Sequence, residues 1–163
     1  MIVGVPKETF PGERRVALVP LMLPQLAKAG HQVVVERGAG LSAGFPDQAY
    51  ADRGATVVGR DEVFERAQVV AQVRTFGANP DLGATDLARI RPGQALVGSA
   101  EPLTAHEETR ALASAGATLL ALELMPRITR AQSMDVLSSM ATIAGYKAVL
   151  LAASTSPRMF PMM

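Results

Sequence analysis

The sequence contains no cysteine and no tryptophan, only two histidines, and aromatic residues at 4%. Without a thiol these residues form no disulfide framework, no thiolate-held zinc and no cysteine nucleophile, and two histidines alone make a poor metal site. An excess of charge of one sign is also lacking: sixteen basic side chains face fifteen acidic ones, a formal net charge of +1. That balance argues against a protein that grips nucleic acid through its phosphates, so no nucleic-acid partner is expected. Apolar runs such as residues 117–122 and 148–153 fall well short of the roughly 20 residues that a membrane span needs, and no span is expected. The N-terminus reaches Lys7 and Glu8 before a long apolar signal region could form, which predicts a cytoplasmic protein.

What is present is 163 residues that are 48% hydrophobic, with 14 Gly and 11 Pro, a mix that suits a folded domain. Residues 2–5, 32–36, 55–58, 68–73, 95–98 and 117–122 are short apolar runs bounded by Gly, Pro or charge and predict six strands. Residues 21–29, 47–53, 61–66, 86–90 and 105–115 carry apolar side chains three and four apart and predict helices between them. Gly30, Gly54 and Gly116 each close a helix before a strand, where a left-handed residue is needed. Strands joined through helices imply an α/β fold: a doubly wound, mostly parallel sheet with helices on both faces, flavodoxin-like or Rossmann-like. Ligands of such sheets sit beyond the carboxyl ends of the strands, here residues 6–15, 37–46, 74–82, 99–104 and 123–135. The C-terminal part differs: residues 133–153 fit one long helix, and the chain then closes on the apolar run Met159-Phe-Pro-Met-Met163. The expected division is therefore an α/β domain over 1–132 and, over 133–163, a helix leading toward further protein.

Four local patterns bear on function. Gly38-Ala-Gly-Leu-Ser-Ala-Gly44 superficially suggests a dinucleotide fingerprint, but its spacing is GxGxxxG and Pro46 interrupts the expected helix, so an ordinary loop is expected. Lys7, Glu8, Glu13, Arg14 and Arg15 lie past the first strand, where Arg15 could meet a ligand carboxylate in a two-pronged contact; the alternative is a solvated loop of surface ion pairs. Residues 123–139 put Arg127, Gln132, Asp135 and Ser138 at the carboxyl edge of the sheet, with Asp135 and Ser138 three apart on one helix face. Such a set suits an amide, ribose or phosphate-bearing ligand, and serves equally as a capping segment with Ser133 or Thr129 as N-cap. His31 and His106 have no partner at catalytic spacing and read as surface residues; Met134, Met140, Met159, Met162 and Met163 read as adaptable packing.

Three stretches, GVPKE-x5-RRVAL, VVVERGAGLSAGF and above all LELMPRITRAQSMDVLSSMATIAGYKAV, resemble the N-terminal part of the NAD(H)-binding component (alpha or alpha-1 subunit) of proton-translocating NAD(P) transhydrogenases. Alanine dehydrogenases share the first two. The resemblance implies an oxidoreductase of two doubly wound domains, of which this chain is the first, with NAD(H) bound mainly by the second. It implies hydride transfer to NADP(H) on a partner domain, coupled to proton translocation by a membrane subunit at whose cytoplasmic face the protein sits, and a homodimer. By the same resemblance Arg127, Gln132, Asp135 and Ser138 meet the nicotinamide end of the cofactor. Gln132 and Asp135 act at the site of hydride transfer, Gln132 spanning toward NADP(H), and no metal is involved. The isolated residues are expected to be inactive. The two relatives differ in chemistry: an amino-acid dehydrogenase moves protons as well as hydride and needs a lysine and a histidine, whereas hydride passing between two nicotinamides needs only aligned rings. Arg74 stands where the alanine dehydrogenase pattern places that lysine, and Ser99-Ala-Glu-Pro102 has no histidine. An amino-acid oxidoreductase and a non-catalytic docking domain are the alternative readings.

Overall fold

The computed structural model describes residues 1–158; the packing expected of Met159, Met162 and Met163 lies outside the described residues. The chain divides into two compact units, Met1–Leu122 and Glu123–Met163.

The first unit is a six-stranded parallel sheet of β1 (Ile2–Val5), β2 (Gln32–Glu36), β3 (Thr56–Val58), β4 (Val69–Arg74), β5 (Ala95–Ser99) and β6 (Thr118–Ala121). The strands lie in the order β3-β2-β1-β4-β5-β6. This is the Rossmann order, whose direction of winding reverses between β1 and β4. The strands form where β-branched residues run short between turn residues, and Gly30, Gly54 and Gly116 take φ values of 79, 85 and 75°, as their places after helices require.

Helices α1 (Leu23–Lys28) and α2 (Asp47–Ala51) join the first three strands, and α3 (Arg60–Arg66), α4 (Pro80–Leu87) and α5 (His106–Ser114) join the rest. Under α1 and α2 lies a core of Val5, Leu23, Val33, Val35 and Tyr50, with the Tyr50 hydroxyl donating to the Leu18 carbonyl at 2.9 Å. Burial pushes that phenol up to about 12. On the opposite face Phe64, Val70, Leu96 and Leu112 form a second core.

Two helices depart from the sequence reading. The helix expected over 86–90 is instead α4, which opens at Pro80, where the missing N–H of proline costs nothing; Asp86 ends up inside it, buried against an arginine. The helix expected over 21–29 starts as a 3-10 turn at Pro20–Met22 before α1.

The second unit holds a 3-10 turn, Thr129–Met134, followed by α6, Val136–Thr155. The long helix therefore begins three residues later than Ser133, because Asp135, at φ −76° and ψ 91°, leaves helical geometry. No residue of α6 is buried. By length and composition α6 is long and apolar enough to cross a membrane, although Ser, Thr, Gly and Lys147 break it into short apolar runs. Met134 and Met140 are 48% and 37% exposed, so among the described residues they pack little.

Candidate functional site

The polar stretch singled out in the sequence lies wholly in the second unit. Asp135 is the N-cap of α6: its Oδ1 accepts the backbone N–H groups of Leu137 and Ser138, both at 3.0 Å. Its Oδ2 accepts the Ser138 hydroxyl at 2.7 Å. Asp135 thus takes the cap that Ser133 or Thr129 was expected to supply, because a carboxylate two residues ahead of the first free N–H groups satisfies both and meets the positive end of the helix. Those donors, first the Ser138 N–H and then its hydroxyl and Arg127, hold the Asp135 carboxyl below the usual range.

Arg127 closes the group. Its Nη2 donates to the Ser138 hydroxyl oxygen at 3.2 Å and its Nε stands 3.9 Å from Asp135 Oδ2. With Pro126, Ile128 and Thr129, the residues Arg127, Gln132 and Asp135 line a cleft of about 280 Å³. Three of the four singled-out residues therefore line one cleft, and Ser138 is bonded to two of them. Gln132 differs from its neighbours: it is exposed, and its carboxamide has no hydrogen-bond partner among the described residues. The helix cap accounts for Asp135 and Ser138; nothing internal accounts for Gln132.

The first unit brings together two of its expected ligand segments, 6–15 and 74–82, at the switch point between β1 and β4. The Glu8 carboxylate accepts the N–H groups of Val73 (2.6 Å) and Arg74 (3.2 Å), bridging from the loop after β1 to the end of β4. Burial pushes its pKa up, against the pull of those two donors. Glu13 accepts Arg15 Nε and Nη2 at 2.7 and 2.6 Å, and Arg74 Nε at 3.3 Å. The Arg15 contact brings the Glu13 carboxyl down to about 2. Arg74 also lies 4.2 Å over the Phe10 ring. The two-pronged contact foreseen for Arg15 is real, but its carboxylate comes from the chain itself.

Alongside, Arg60 donates to Asp86 through Nε (2.8 Å) and Nη2 (2.5 Å), and through Nη1 to Glu36 (2.8 Å) and the Lys7 carbonyl (2.9 Å). Glu36 sits at the end of β2, where dinucleotide-binding sheets place an acidic residue for ribose. Here it is engaged by Arg60 and by the Lys7 N–H at 2.7 Å. Arg60, Asp86 and Glu36 escaped the sequence reading because their spacings, 24 and 26 residues, carry no local signal.

The glycine loop is a packed turn: a Cβ at Gly40 would stand 2.6 Å from the Tyr50 ring, so the glycine admits the ring and not a pyrophosphate. His31 is half-buried and not the surface residue expected, and its Nδ1 has no hydrogen-bond partner among the described residues. His106 is exposed.

The chain is 44% identical over 161 residues to the NAD(P) transhydrogenase subunit alpha of Cereibacter sphaeroides, covering 98% of this chain and 30% of that protein. It is 33% identical to the alanine dehydrogenase of Bacillus subtilis over 153 residues, 94% of this chain and 38% of the other. The crystal structure of a transhydrogenase from Sinorhizobium meliloti superposes with a TM-score of 0.91 at 43% identity, over 100% of this chain and 47% of that one. The chain thus spans less than half the length of each of these relatives. Residues 4–144 match the family described as alanine dehydrogenase/PNT, N-terminal domain, and the chain belongs to that family.

Proposed function

We propose that this chain is the N-terminal domain of the NAD(H)-side subunit of a proton-translocating NAD(P) transhydrogenase. Its α6 leads into a second, NAD(H)-binding domain, and the cleft around Arg127 helps to position the nicotinamide end of the cofactor. The observation that carries this reading is the arrangement of Arg127, Asp135 and Ser138 around one cleft, with Gln132 on its wall and its carboxamide without a hydrogen-bond partner among the described residues. Identity to the transhydrogenase subunit exceeds that to the alanine dehydrogenase, 44% against 33%, in the same direction.

The donor set fits the group. Guanidinium, hydroxyl and carboxamide complement the amide and ribose hydroxyls of a nicotinamide nucleotide. NAD(H), when bound, supplies the hydride. The chain's own residues position: Arg127 holds the Ser138 hydroxyl, and Asp135 orients both from the helix cap. The depressed pKa of Asp135 keeps it an acceptor at neutral pH, so it has no proton to lend. That suits a transfer between two nicotinamides, in which NADP(H) sits on a partner domain and alignment of the rings is the main requirement. Proton movement belongs to a membrane subunit, with this protein as a homodimer at its cytoplasmic face.

The test replaces the matched span of the Cereibacter sphaeroides subunit alpha with residues 1–163 and mixes the chimera with a purified NADP(H)-binding partner domain. Hydride exchange between NADH and a nicotinamide analogue is expected, and none from residues 1–163 alone. Absence of exchange with both components folded and nucleotide-loaded overturns the proposal; NADH oxidation dependent on pyruvate and ammonium would favour the amino-acid oxidoreductase instead.

A further inference from the structure

The 3-10 turn Thr129–Met134 carries a repeat that the cap of α6 does not explain. Side chains three apart eclipse one another in 3-10 geometry, so Thr129 stands in line with Gln132. Both line the cleft, with Pro126 one step before them and Asp135 one step after. Arg130 and Ser133 fall on another side of the turn and are not part of the lining.

Each polar side chain of the lining can be followed to its partners. Asp135 commits Oδ1 to two backbone N–H groups and Oδ2 to the Ser138 hydroxyl. Arg127 can only donate, and one of its N–H groups goes to Ser138. Two groups keep all of their hydrogen-bonding capacity: the Gln132 carboxamide and the Thr129 hydroxyl, neither of which has a partner among the described residues. Because Asp135 holds the cap of α6, Thr129 has no capping duty either.

A nicotinamide carboxamide presents an oxygen that accepts and an NH2 that donates. Arg127 has further N–H groups for the oxygen. For the NH2 the uncommitted acceptors of the lining are Thr129 Oγ1 and Gln132 Oε1. The two differ in reach. Threonine is short and β-branched, stiff about χ1, which suits fixing one group in place. Glutamine extends over three torsions, which suits the span toward a second nucleotide.

We infer that Thr129 is a further specificity-determining residue of this cleft: its hydroxyl oxygen accepts the carboxamide N–H of the nicotinamide and so favours cofactors with an amide at that position. The inference rests on the cofactor reading of the cleft given above.

The test measures binding and needs no turnover. Dissociation constants are read in the same chimera from nucleotide fluorescence, for NADH and for the reduced 3-acetylpyridine analogue, in which a methyl group replaces the amide nitrogen. Thr129→Val removes the hydroxyl and keeps the branched shape. It should weaken NADH about tenfold, the worth of one hydrogen bond, and the analogue by about twofold at most. Thr129→Ser, which keeps the hydroxyl, should hold NADH within about threefold of the parent. Since Thr129 is exposed, neither substitution should move the melting temperature; Thr129→Ala is read by the same criteria where the valine variant melts lower. Parental NADH affinity in Thr129→Val overturns the inference. So does an equal loss for both nucleotides, which would make the side chain a packing surface. Arg127→Ala in the same assay separates this failure from that of the reading beneath it. If Arg127→Ala loses NADH affinity while Thr129→Val does not, Thr129 alone is struck out; if NADH binding is indifferent to both, the cleft is not the cofactor's site.

Discussion

Arg15 closes on both carboxylate oxygens of Glu13, at 2.7 and 2.6 Å, two residues away in the chain. The pair faces the end of β4 at the point where the sheet reverses its winding, and Arg74 shares the same carboxylate. The loop after β1 thus carries an internal anion where a sheet of this kind ordinarily receives a ligand.

The Glu13 pKa falls to about 2 in the folded chain, so its ion pair stabilises the fold above the unfolded carboxylate range near 4.5 and is lost as pH falls through about 2. Glu8 has the opposite sign: its raised pKa gives a contribution present at low pH and lost as pH rises through the folded value. Urea unfolding of Glu13→Gln against the parent should show a deficit of about 1 kcal/mol at pH 6, modest because Arg15 is partly exposed. The deficit should close between pH 4.5 and 2. Glu8→Gln should narrow its gap, or gain on the parent, as pH rises. A pH-independent Glu13→Gln deficit would show that the carboxylate acts only by packing.

Arg60 ties three strands' ends together. Removing it leaves Glu36, with its side chain 16% exposed, without its cation, and Asp86, 6% exposed, with only Arg89 at 3.8 Å. Breaking a buried pair from one side costs about 3–5 kcal/mol, so Arg60→Ala should lose about 3 kcal/mol in denaturant unfolding. Arg60→Met combined with Asp86→Leu should recover part of that loss. If Arg60→Ala unfolds at the parent's midpoint, the network is a surface ornament.

Two glycines separate close approach from helix propensity. A Cβ at Gly77 would sit 1.9 Å from the Ala100 carbonyl oxygen, a backbone atom with no room to give, whereas a Cβ at Gly145 meets nothing within 4 Å. Gly77→Ala should cost at least about 2 kcal/mol in thermal or urea melts, in the range of overpacked sites. Gly145→Ala, in the middle of α6, should gain about 0.5–1 kcal/mol of helix stability, visible as higher helicity by circular dichroism.

The strands were readable because a parallel sheet needs short β-branched runs. β1 and β2 fall at 2–5 and 32–36 as read, and the other four differ by a single residue at one or both ends. α4 was not readable: its stretch, PDLGATDL, is weakly patterned, and what fixes it is Pro80 at one end and the reach of Asp86 to Arg60 at the other. The same holds for the site. Arg127, Gln132, Asp135 and Ser138 lie within twelve residues, and sequence proximity brought them together. The Glu8 bridge and the Arg60 hub join residues far apart in the chain, and only the sheet order makes them neighbours.

Gln132 offers the sharpest separation of fold from function. Its carboxamide is exposed and bonds to nothing among the described residues, so Gln132→Asn should leave the melting temperature within about 1 °C. Asp135→Ala removes two backbone contacts at the start of α6 and should cost about 1 kcal/mol. In the chimera with its partner domain, the Gln132→Asn chain should bind NADH with nearly unchanged affinity. Its hydride transfer should fall by about a hundredfold, because shortening the side chain by one methylene disturbs alignment between two rings and leaves cofactor affinity intact. A rate equal to the parent's would reduce the polar stretch to a helix cap; a rate and an affinity that fall together would make Gln132 a binding residue and move ring alignment elsewhere.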